Sequence, residues 1–141
     1  MTPLRHDEVL SLTSHLPHLI AFSIFHTALR DEQRHHDEVI KFSAGGFRDF
    51  TRIASSNPTM WRDIFIANRE PVLAALGELM KDLDVCREAI EQGNGDALLE
   101  MFSTSRITRR SVIEREHITV RKAKEKQQKE MRYLARPYST D

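Results

Sequence analysis

Two short segments of the chain carry side chains that can bind a small anionic molecule. The first, Ser14-His15-Leu16-Pro17-His18, places a hydroxyl and two imidazoles beside a proline within otherwise apolar sequence. The second, residues 45–54, begins with two glycines and contains Arg48 and Arg52 one helical turn apart. Polar groups among apolar neighbours are costly unless they have a partner or a ligand. Guanidinium groups beside glycine backbone and a neutral imidazole are suited to two-point binding of a planar carboxylate.

Each segment also has a purely structural interpretation. His15 or His18 can be a core histidine with one hydrogen bond. Arg52 can pair with Asp49, three residues earlier on an exposed helix, which contributes well under about 1 kcal/mol. Residue types alone do not choose between a carboxylate receptor and a solvated helix.

The histidine spacing also raises the question of a metal site. His15 and His18 are three residues apart, but no Cys or carboxylate near them completes the three or four ligands that zinc needs. His6-Asp7 and His36-Asp37 are His-Asp pairs similar to those of metal-dependent phosphohydrolases. We predict no metal site and keep a phosphohydrolase as an alternative that elemental analysis would remove.

The composition is that of one helical domain. The 141 residues are 40% hydrophobic and 30% charged, and five Gly and five Pro are too few for a loop-rich β fold or for disorder. No segment alternates apolar and polar residues over strand length, so we predict an all-α multi-helix bundle. The longest apolar stretch, residues 19–25, is shorter than the roughly 18–20 residues that cross a bilayer, so no membrane partner is expected. A single cysteine, Cys86, favours a reducing, cytoplasmic location.

Local signals in the first half of the chain mark helix ends. Thr2-Pro3 predicts a capped helix start, and Pro17 predicts a kink that frees backbone groups near Ser14. Residues 30–37 are polar and predict a connector. Gly45-Gly46 predicts positive φ or a close approach of another group to the backbone. The helices predicted in this half cover residues 3–16, 18–29, 38–44 and 47–54.

The second half contains stronger start and stop signals. Asn57-Pro58 predicts a capped helix start, and Pro71 predicts a bend near Asn68. A separate helix is predicted over residues 85–91, closed by Gly93-Asn94-Gly95, and a last helix is predicted from about Asp96.

The last third of the chain is basic. Residues 106–136 contain 11 Lys or Arg against 4 Asp or Glu, a balance of +7, so the remainder of this neutral chain carries −7. Few apolar residues interrupt the charges, which predicts a long exposed C-terminal helix, solvated or packed on a second subunit. A polyanion-binding arm is the alternative, but aromatic residues are not interleaved with the cations, so we predict no nucleic-acid partner.

Taken together, the motifs resemble the helical C-terminal domain of the prephenate and arogenate dehydrogenases, NAD(P)-dependent enzymes of tyrosine synthesis. That family carries a His-Asp pair, then Ser-His-Leu-Pro-His, then Gly-Phe-Arg-Asp-x-Thr-Arg-Ile-Ala, then Pro-x-Met-Trp and a nearby Asn. This chain has the same motifs in order, at His6-Asp7, residues 14–18, residues 46–54, residues 58–61 and Asn68. The resemblance covers residues 1–105, and residues 106–141 are predicted to be a basic, mostly helical extension.

The resemblance implies a set of substrate-binding residues. Arg52 would bind a substrate carboxylate, and Ser14 and His18 would hydrogen-bond the substrate or a competing tyrosine. Gly45 would offer backbone, and Asp49 would lie near the site of the neighbouring subunit. The full set is Ser14, His18, Gly45, Asp49, Arg52 and Trp61, with His15 and Arg48 in support. Trp61 would form one side of the pocket, or serve as a core aromatic residue.

The resemblance also implies that the catalytic histidine and the glycine-rich turn for the dinucleotide belong to a preceding α/β domain, which residues 1–141 do not encode. The predicted function is the substrate-binding and dimerisation half of a prephenate or arogenate dehydrogenase, an intertwined homodimer that is inactive without a separate domain holding NAD or NADP. No catalytic residue and no bound cofactor are predicted for this chain alone. The alternative is a stand-alone, non-catalytic module that binds tyrosine or prephenate for regulation or serves only in dimerisation.

Overall fold

The computed structural model describes residues 1–35 and 41–134, and all regular structure in these two ranges is helical. The helices are α1 (Pro3–Leu10), α2 (Leu16–His35), α3 (Gly45–Thr51), α4 (Pro58–Ala67), α5 (Arg69–Glu91) and α6 (Gly95–Leu134). A π-helical turn (Ser11–His15, the π-turn) joins α1 to α2, and a 3-10 turn (Arg52–Ser55) follows α3. The predicted all-α class is confirmed. The chain divides into two compact units, Met1–Asp84 and Val85–Asp141.

The first unit begins as its sequence predicts. The Thr2 hydroxyl accepts the Arg5 backbone N–H at 3.3 Å, and proline occupies the first helical position. The break expected at Pro17 takes the form of the π-turn just before it. There the Leu16 N–H bonds to the carbonyl of Ser11, five residues back, so the turn is wider than an α-helical turn.

Helix α2 is longer than predicted. It continues to His35, so the prediction of a polar connector is wrong for residues 30–35. Arg, Glu and Gln are good helix formers, so a polar composition is compatible with a solvated helix end. Residues 36–40, which include most of the predicted helix over 38–44, lie outside the described residues.

The positive φ that the sequence allows at Gly45 and Gly46 is not observed. Both lie in the first turn of α3, neither has positive φ, and a Cβ atom at either position would meet nothing within 4 Å. Helix α3 ends at Thr51, whose side chain is buried, and the 3-10 turn continues from Arg52. Both α3 and the 3-10 turn pack against α2.

Helices α4 and α5 meet at Asn68. At the start of α4 the Asn57 side chain accepts the N–H groups of Thr59 at 2.9 Å and Met60 at 3.1 Å, which confirms the predicted cap. The bend predicted near Asn68 is a full break between helices, because Asn68 has φ −106° and ψ 34°. The core of this unit includes Leu16, Ala21, Trp61 and Val72.

The division between the two units falls inside α5. The predicted separate helix over residues 85–91 is wrong, since α5 runs without interruption to Glu91 and no Gly or Pro lies between residues 78 and 92 to end it. The predicted stop is confirmed. Gly93 has φ +65°, and the Asn94 N–H bonds to the Ala89 carbonyl at 2.8 Å.

Helix α6 is the long, charged C-terminal helix that the sequence predicts. It passes through residues 105 and 106 without a break, so the proposed domain boundary at that point stays a prediction. Inside the second unit the Cys86 thiol contacts the Met101 sulfur at 3.4 Å. Among the helices described, none combines the length and the apolar character that a membrane span requires.

Candidate functional site

The π-turn places His15 in a buried position. The ring is 9% exposed, its Nδ1 lies 3.0 Å from the Asn68 amide nitrogen, and it meets Trp61 edge-on with centroids 6.1 Å apart. Burial lowers the pKa of His15 below its ordinary value, and this effect outweighs the opposing charge of Asp7. His15 is therefore neutral at neutral pH.

His18 lies one turn further on, at the start of α2. Its Nδ1 is 2.9 Å from the Ser14 carbonyl oxygen, which can only accept, so Nδ1 carries the proton of this hydrogen bond. In the neutral ring Nε2 then offers a lone pair. The sequence predicts free backbone groups near Ser14, and the carbonyl of Ser14 itself is occupied by the His18 side chain.

The hydroxyl of Ser14 differs from the other hydroxyls of this helical run. Those of Ser11, Thr13, Ser23 and Thr27 each donate to a backbone carbonyl three or four residues earlier. The Ser14 hydroxyl is half-buried and makes no hydrogen bond within the part of the chain that the structure describes. It can therefore donate to, or accept from, a bound molecule.

Trp61 joins these groups from helix α4. Its indole stacks on His18 with centroids 3.7 Å apart and packs against Phe65 at 5.5 Å. The side chain is 6% exposed, and its buried Nε1–H has no acceptor among residues 1–35 and 41–134. An unpaired buried N–H is costly, so an acceptor from a ligand or from another chain would stabilise this site. We call His15, His18, Trp61 and Phe65 the aromatic cluster.

Arg52 lies in a different place. It is exposed and lines a cavity of about 450 Å³, which we call the arginine cavity. The lining residues are Phe25, Ser43, Phe47, Arg48, Thr51, Arg52, Ala54 and Ser55. The Arg48 guanidinium donates to the Ser43 carbonyl at 3.2 Å, which leaves Arg52 as the second cation of the cavity. The aromatic rings of Phe25 and Phe47 stack 6.2 Å apart.

The structure does not bring all the predicted site residues into contact. No hydrogen bond or ring contact joins Arg52 to Ser14 or His18 in the described ranges. Phe25 of the arginine cavity follows His18 by seven residues, which is about 10 Å along α2. Gly45 and Asp49 are exposed on α3. The predicted ion pair between Asp49 and Arg52 is absent from the described residues, in keeping with the small energy of exposed pairs.

The His-Asp pairs give no support to a metal centre. His6 and Asp7 bond to each other at 3.1 Å and are both largely exposed. Over the described residues no group of three His, Cys, Asp or Glu side chains is placed to hold a metal ion. His36-Asp37 lies outside the described residues.

A further residue of the site, Asn68, is not among the predicted site residues, although it belongs to a family motif. Its amide nitrogen lies 3.0 Å from His15 Nδ1 and 3.2 Å from the Asp7 carbonyl oxygen. The only local signal was its position at a predicted bend. A link to a histidine 53 residues away depends on tertiary packing and leaves no local pattern.

The residues described do not fit a dinucleotide cofactor. Such cofactors bind at a glycine-rich turn between a strand and a helix, and the described ranges form helices alone. The features present instead define a helical domain with a buried imidazole–indole cluster and a separate arginine-lined cavity.

Comparison with known families identifies this domain. Residues 2–104 match the family "Prephenate dehydrogenase, dimerization domain", so the chain belongs to that family. The resemblance noted in the sequence motifs is thereby confirmed.

Individual relatives give the same result. The chain is 42% identical over 111 residues to prephenate dehydrogenase of Bacillus subtilis (strain 168), a match that covers 75% of this chain and 28% of that protein. It is 41% identical over 109 residues to cyclohexadienyl dehydrogenase of Zymomonas mobilis, covering 77% and 37% of the two chains. The chain thus spans about a third of these relatives.

A solved structure shows the same fold. The crystal structure of prephenate dehydrogenase from A. aeolicus in complex with hydroxyphenyl propionate and NAD+ aligns with a TM-score of 0.70 at 38% identity. The match covers 79% of this chain and 39% of that one.

Proposed function

We propose that this chain is the substrate-binding and dimerisation half of a prephenate or arogenate dehydrogenase of tyrosine biosynthesis. Its relatives are prephenate and cyclohexadienyl dehydrogenases, and the related A. aeolicus structure holds hydroxyphenyl propionate and NAD+. Because the chain spans about a third of the curated relatives, the oxidation belongs to the joined enzyme. A separate dinucleotide-binding domain would hold NAD+ or NADP+, which would supply the hydride acceptor for the oxidation, and the substrate carboxylate would be lost as carbon dioxide.

One observation carries the proposal: hydrogen-bonding groups without a partner occur in the aromatic cluster and at the neighbouring Ser14. His18 is held by its Nδ1–H, so Nε2 of the neutral ring can accept from a ligand hydroxyl. The Ser14 hydroxyl and the buried Trp61 Nε1–H have no partner in the described part of the chain. Such groups beside a flat aromatic wall suit a small cyclic molecule that carries hydroxyl and carboxylate groups.

Arg52 would hold a ligand carboxylate at the arginine cavity. The guanidinium is exposed, and the phenyl rings of Phe25 and Phe47 line the same space. Arg48 would support the cavity through its bond to the Ser43 carbonyl. Gly45 would contribute backbone, and Asp49, exposed on α3, would lie near the site of a second copy.

A homodimer is supported by the apolar surface of α5. Leu73, Met80 and Leu83 are each more than half exposed and lie on one side of the helix. Apolar stripes of this kind mark interaction surfaces. The family description as a dimerization domain points the same way. A cytoplasmic location, consistent with the free thiol of Cys86, completes the proposal.

Calorimetric titration of the 141-residue chain with prephenate and with tyrosine tests the binding site. We expect binding by the wild-type chain and at least about a tenfold loss for Arg52→Ala, because a charge-assisted hydrogen bond is removed. Arg62→Ala is the matched control, since Arg62 is an exposed arginine of α4 that pairs with Asp63. Absence of binding by the wild-type chain at millimolar ligand would contradict the binding role and leave dimerisation alone.

An activity assay tests whether the oxidation requires a separate dinucleotide-binding domain. The isolated chain is expected to give no prephenate-dependent reduction of NAD or NADP, and addition of a dinucleotide-binding domain from a relative is expected to restore it. Ligand binding without restored activity would favour the regulatory module. Measurable reduction by the isolated chain would overturn the proposal that it is only half of the enzyme.

A further inference from the structure

The Asn68 carboxamide, at the junction of α4 and α5, bonds to two consecutive elements that lie more than 50 residues earlier in the sequence. The Asn68 amide nitrogen lies 3.2 Å from the backbone carbonyl oxygen of Asp7 in α1 and 3.0 Å from Nδ1 of His15 in the π-turn. A backbone carbonyl can only accept, so the NH2 end of the amide faces it. The two amide hydrogens then serve one acceptor each.

This arrangement determines which nitrogen of His15 carries the proton. Since Asn68 donates to Nδ1, that nitrogen must offer its lone pair, and the proton of the neutral ring resides on Nε2. Asn68 Oδ1 is not the atom facing the ring, because the same nitrogen also bonds to Asp7. His18 is the opposite case, with its proton on Nδ1.

We infer that Asn68 is a positioning residue, which fixes His15 as the Nε2–H tautomer and ties the π-turn to α1 so that Ser14 and His18 are presented to a ligand. This inference rests on the proposed function for its link to ligand binding. The tautomer itself is a property of the free chain.

The backbone around Asn68 is fixed on both sides. Its N–H bonds to the Ile64 carbonyl at 3.0 Å, and its carbonyl accepts the Val72 N–H at 3.1 Å. The residue ends α4 and precedes α5 with a non-helical φ and ψ. The carboxamide therefore extends from a backbone that is already fixed, so only the side-chain torsions of Asn68 have to be ordered when it holds His15.

The electrostatic surroundings of His15 favour the neutral ring that this geometry requires. Burial has the largest effect and lowers the pKa of His15, and the positive forms of His18 and His6 lower it further. The Asp7 carboxylate acts in the opposite direction and raises it. A neutral ring can accept from Asn68, whereas an imidazolium ion cannot.

Asn68→Asp tests the inference in the full chain. The carboxylate has the shape of the amide but no hydrogen to donate, so it can bond to His15 only if Nδ1 carries a proton. We expect the nitrogen chemical shifts of His15, measured by NMR, to change from the Nε2–H to the Nδ1–H or imidazolium pattern, and the pKa of His15 to rise. The signals are assigned by their loss in His15→Gln.

Asn94→Asp is the matched control. Asn94 uses its side-chain oxygen to accept the Ala97 N–H at 3.1 Å, a role that Asp can also fill, so the added charge is the same and the His15 signals should not change. Ligand affinity is expected to fall about tenfold in Asn68→Asp and to stay unchanged in Asn94→Asp.

The outcomes separate this inference from the proposed function. A wild-type His15 with its proton on Nδ1 overturns the inference. An unchanged tautomer in Asn68→Asp also overturns it. The first result needs only the wild-type chain, so the test does not depend on the folding of the variant. A tautomer change in a chain that binds no ligand supports the fixing of His15 and contradicts the proposed function. A tautomer change with unaltered affinity overturns the positioning role.

Discussion

The imidazole of His18 lies nearly parallel to the indole of Trp61, with ring centroids 3.7 Å apart and planes inclined by 22°. The contact joins α2 to α4, and it cannot be predicted from the sequence of either helix. Trp61 is the single tryptophan of the chain, so tryptophan fluorescence reports on the surroundings of this one ring. The stack also covers one face of the imidazole, which leaves the ring edge for hydrogen bonding.

Removal of the indole should destabilise the first unit more than removal of a neighbouring exposed side chain. Trp61→Ala is expected to lower the free energy of unfolding by about 3–5 kcal/mol, because the side chain is buried. Urea denaturation followed by circular dichroism measures the loss. Met60→Ala, at a position nearly half exposed on the same helix, is the control and should cost much less. Equal losses for the two variants would show that the stack contributes nothing special.

Stability should depend on the protonation of His15. Its pKa is lowered by burial, so the unfolded chain binds a proton that the folded chain resists. The stabilising contribution is complete above the unfolded pKa of about 6.5 and is lost as pH falls toward the lower folded pKa. His15→Gln should therefore flatten the fall of unfolding free energy below that pH. His26→Gln, which removes an exposed imidazole of α2, is the comparison, and an identical slope in wild type and His15→Gln would refute the assignment.

The turn between α5 and α6 should require glycine at one position and not at another. Gly93 has φ +65°, where a side chain is strained by about 1 kcal/mol or more, so Gly93→Ala should destabilise the chain by that amount. Gly95 begins α6 without positive φ, and nothing lies within 4 Å of a Cβ placed there. Gly95→Ala should thus be neutral or slightly stabilising in thermal unfolding. A larger loss at Gly95 than at Gly93 would contradict the observed turn.

Self-association should depend on the apolar stripe of α5. Met80→Glu places a charge between Leu73 and Leu83 and is expected to shift the chain from dimer to monomer in analytical ultracentrifugation. Asp82→Lys also changes the charge of α5, but lies about 200° around the helix from Met80, and should leave the dimer intact. Dissociation by both variants, or by neither, would argue against this stripe as the dimer contact.

The elements that the sequence predicts correctly are those determined by near neighbours. Thr2 and Asn57 cap helices through bonds to residues two or three positions away, and the stop at Gly93 needs only a residue that tolerates positive φ. The ends of α2 and α5 are different. No Gly or Pro lies within the polar end of α2 or between residues 78 and 92 of α5, so composition alone suggested breaks where helix-forming residues simply continue.

In the candidate site, too, the sequence predicts contacts between near neighbours and misses those that depend on tertiary packing. Ser14 and His18 are one turn apart, so their proximity follows from helical spacing. Their relation to Trp61 depends on how α4 packs on α2, and the tie between Asn68 and His15 spans 53 residues. Arg52 lies in a separate cavity because α3 and the 3-10 turn pack further along α2. This packing is tertiary and cannot be predicted from a local motif. The role of Arg52 in binding a substrate carboxylate stays a prediction.

The π-turn between α1 and α2 affects the rotation of α1 about its own axis. A π-turn contains one residue more than an α-helical turn, and each residue of a regular helix rotates the next side chain by about 100°. Deletion of Thr13 would restore the regular hydrogen-bond ladder and should leave the helical circular dichroism signal unchanged. It would also rotate α1 about its axis, so that the Asp7 carbonyl no longer faces the junction of α4 and α5. The surplus residue thus sets the angular orientation of the first helix.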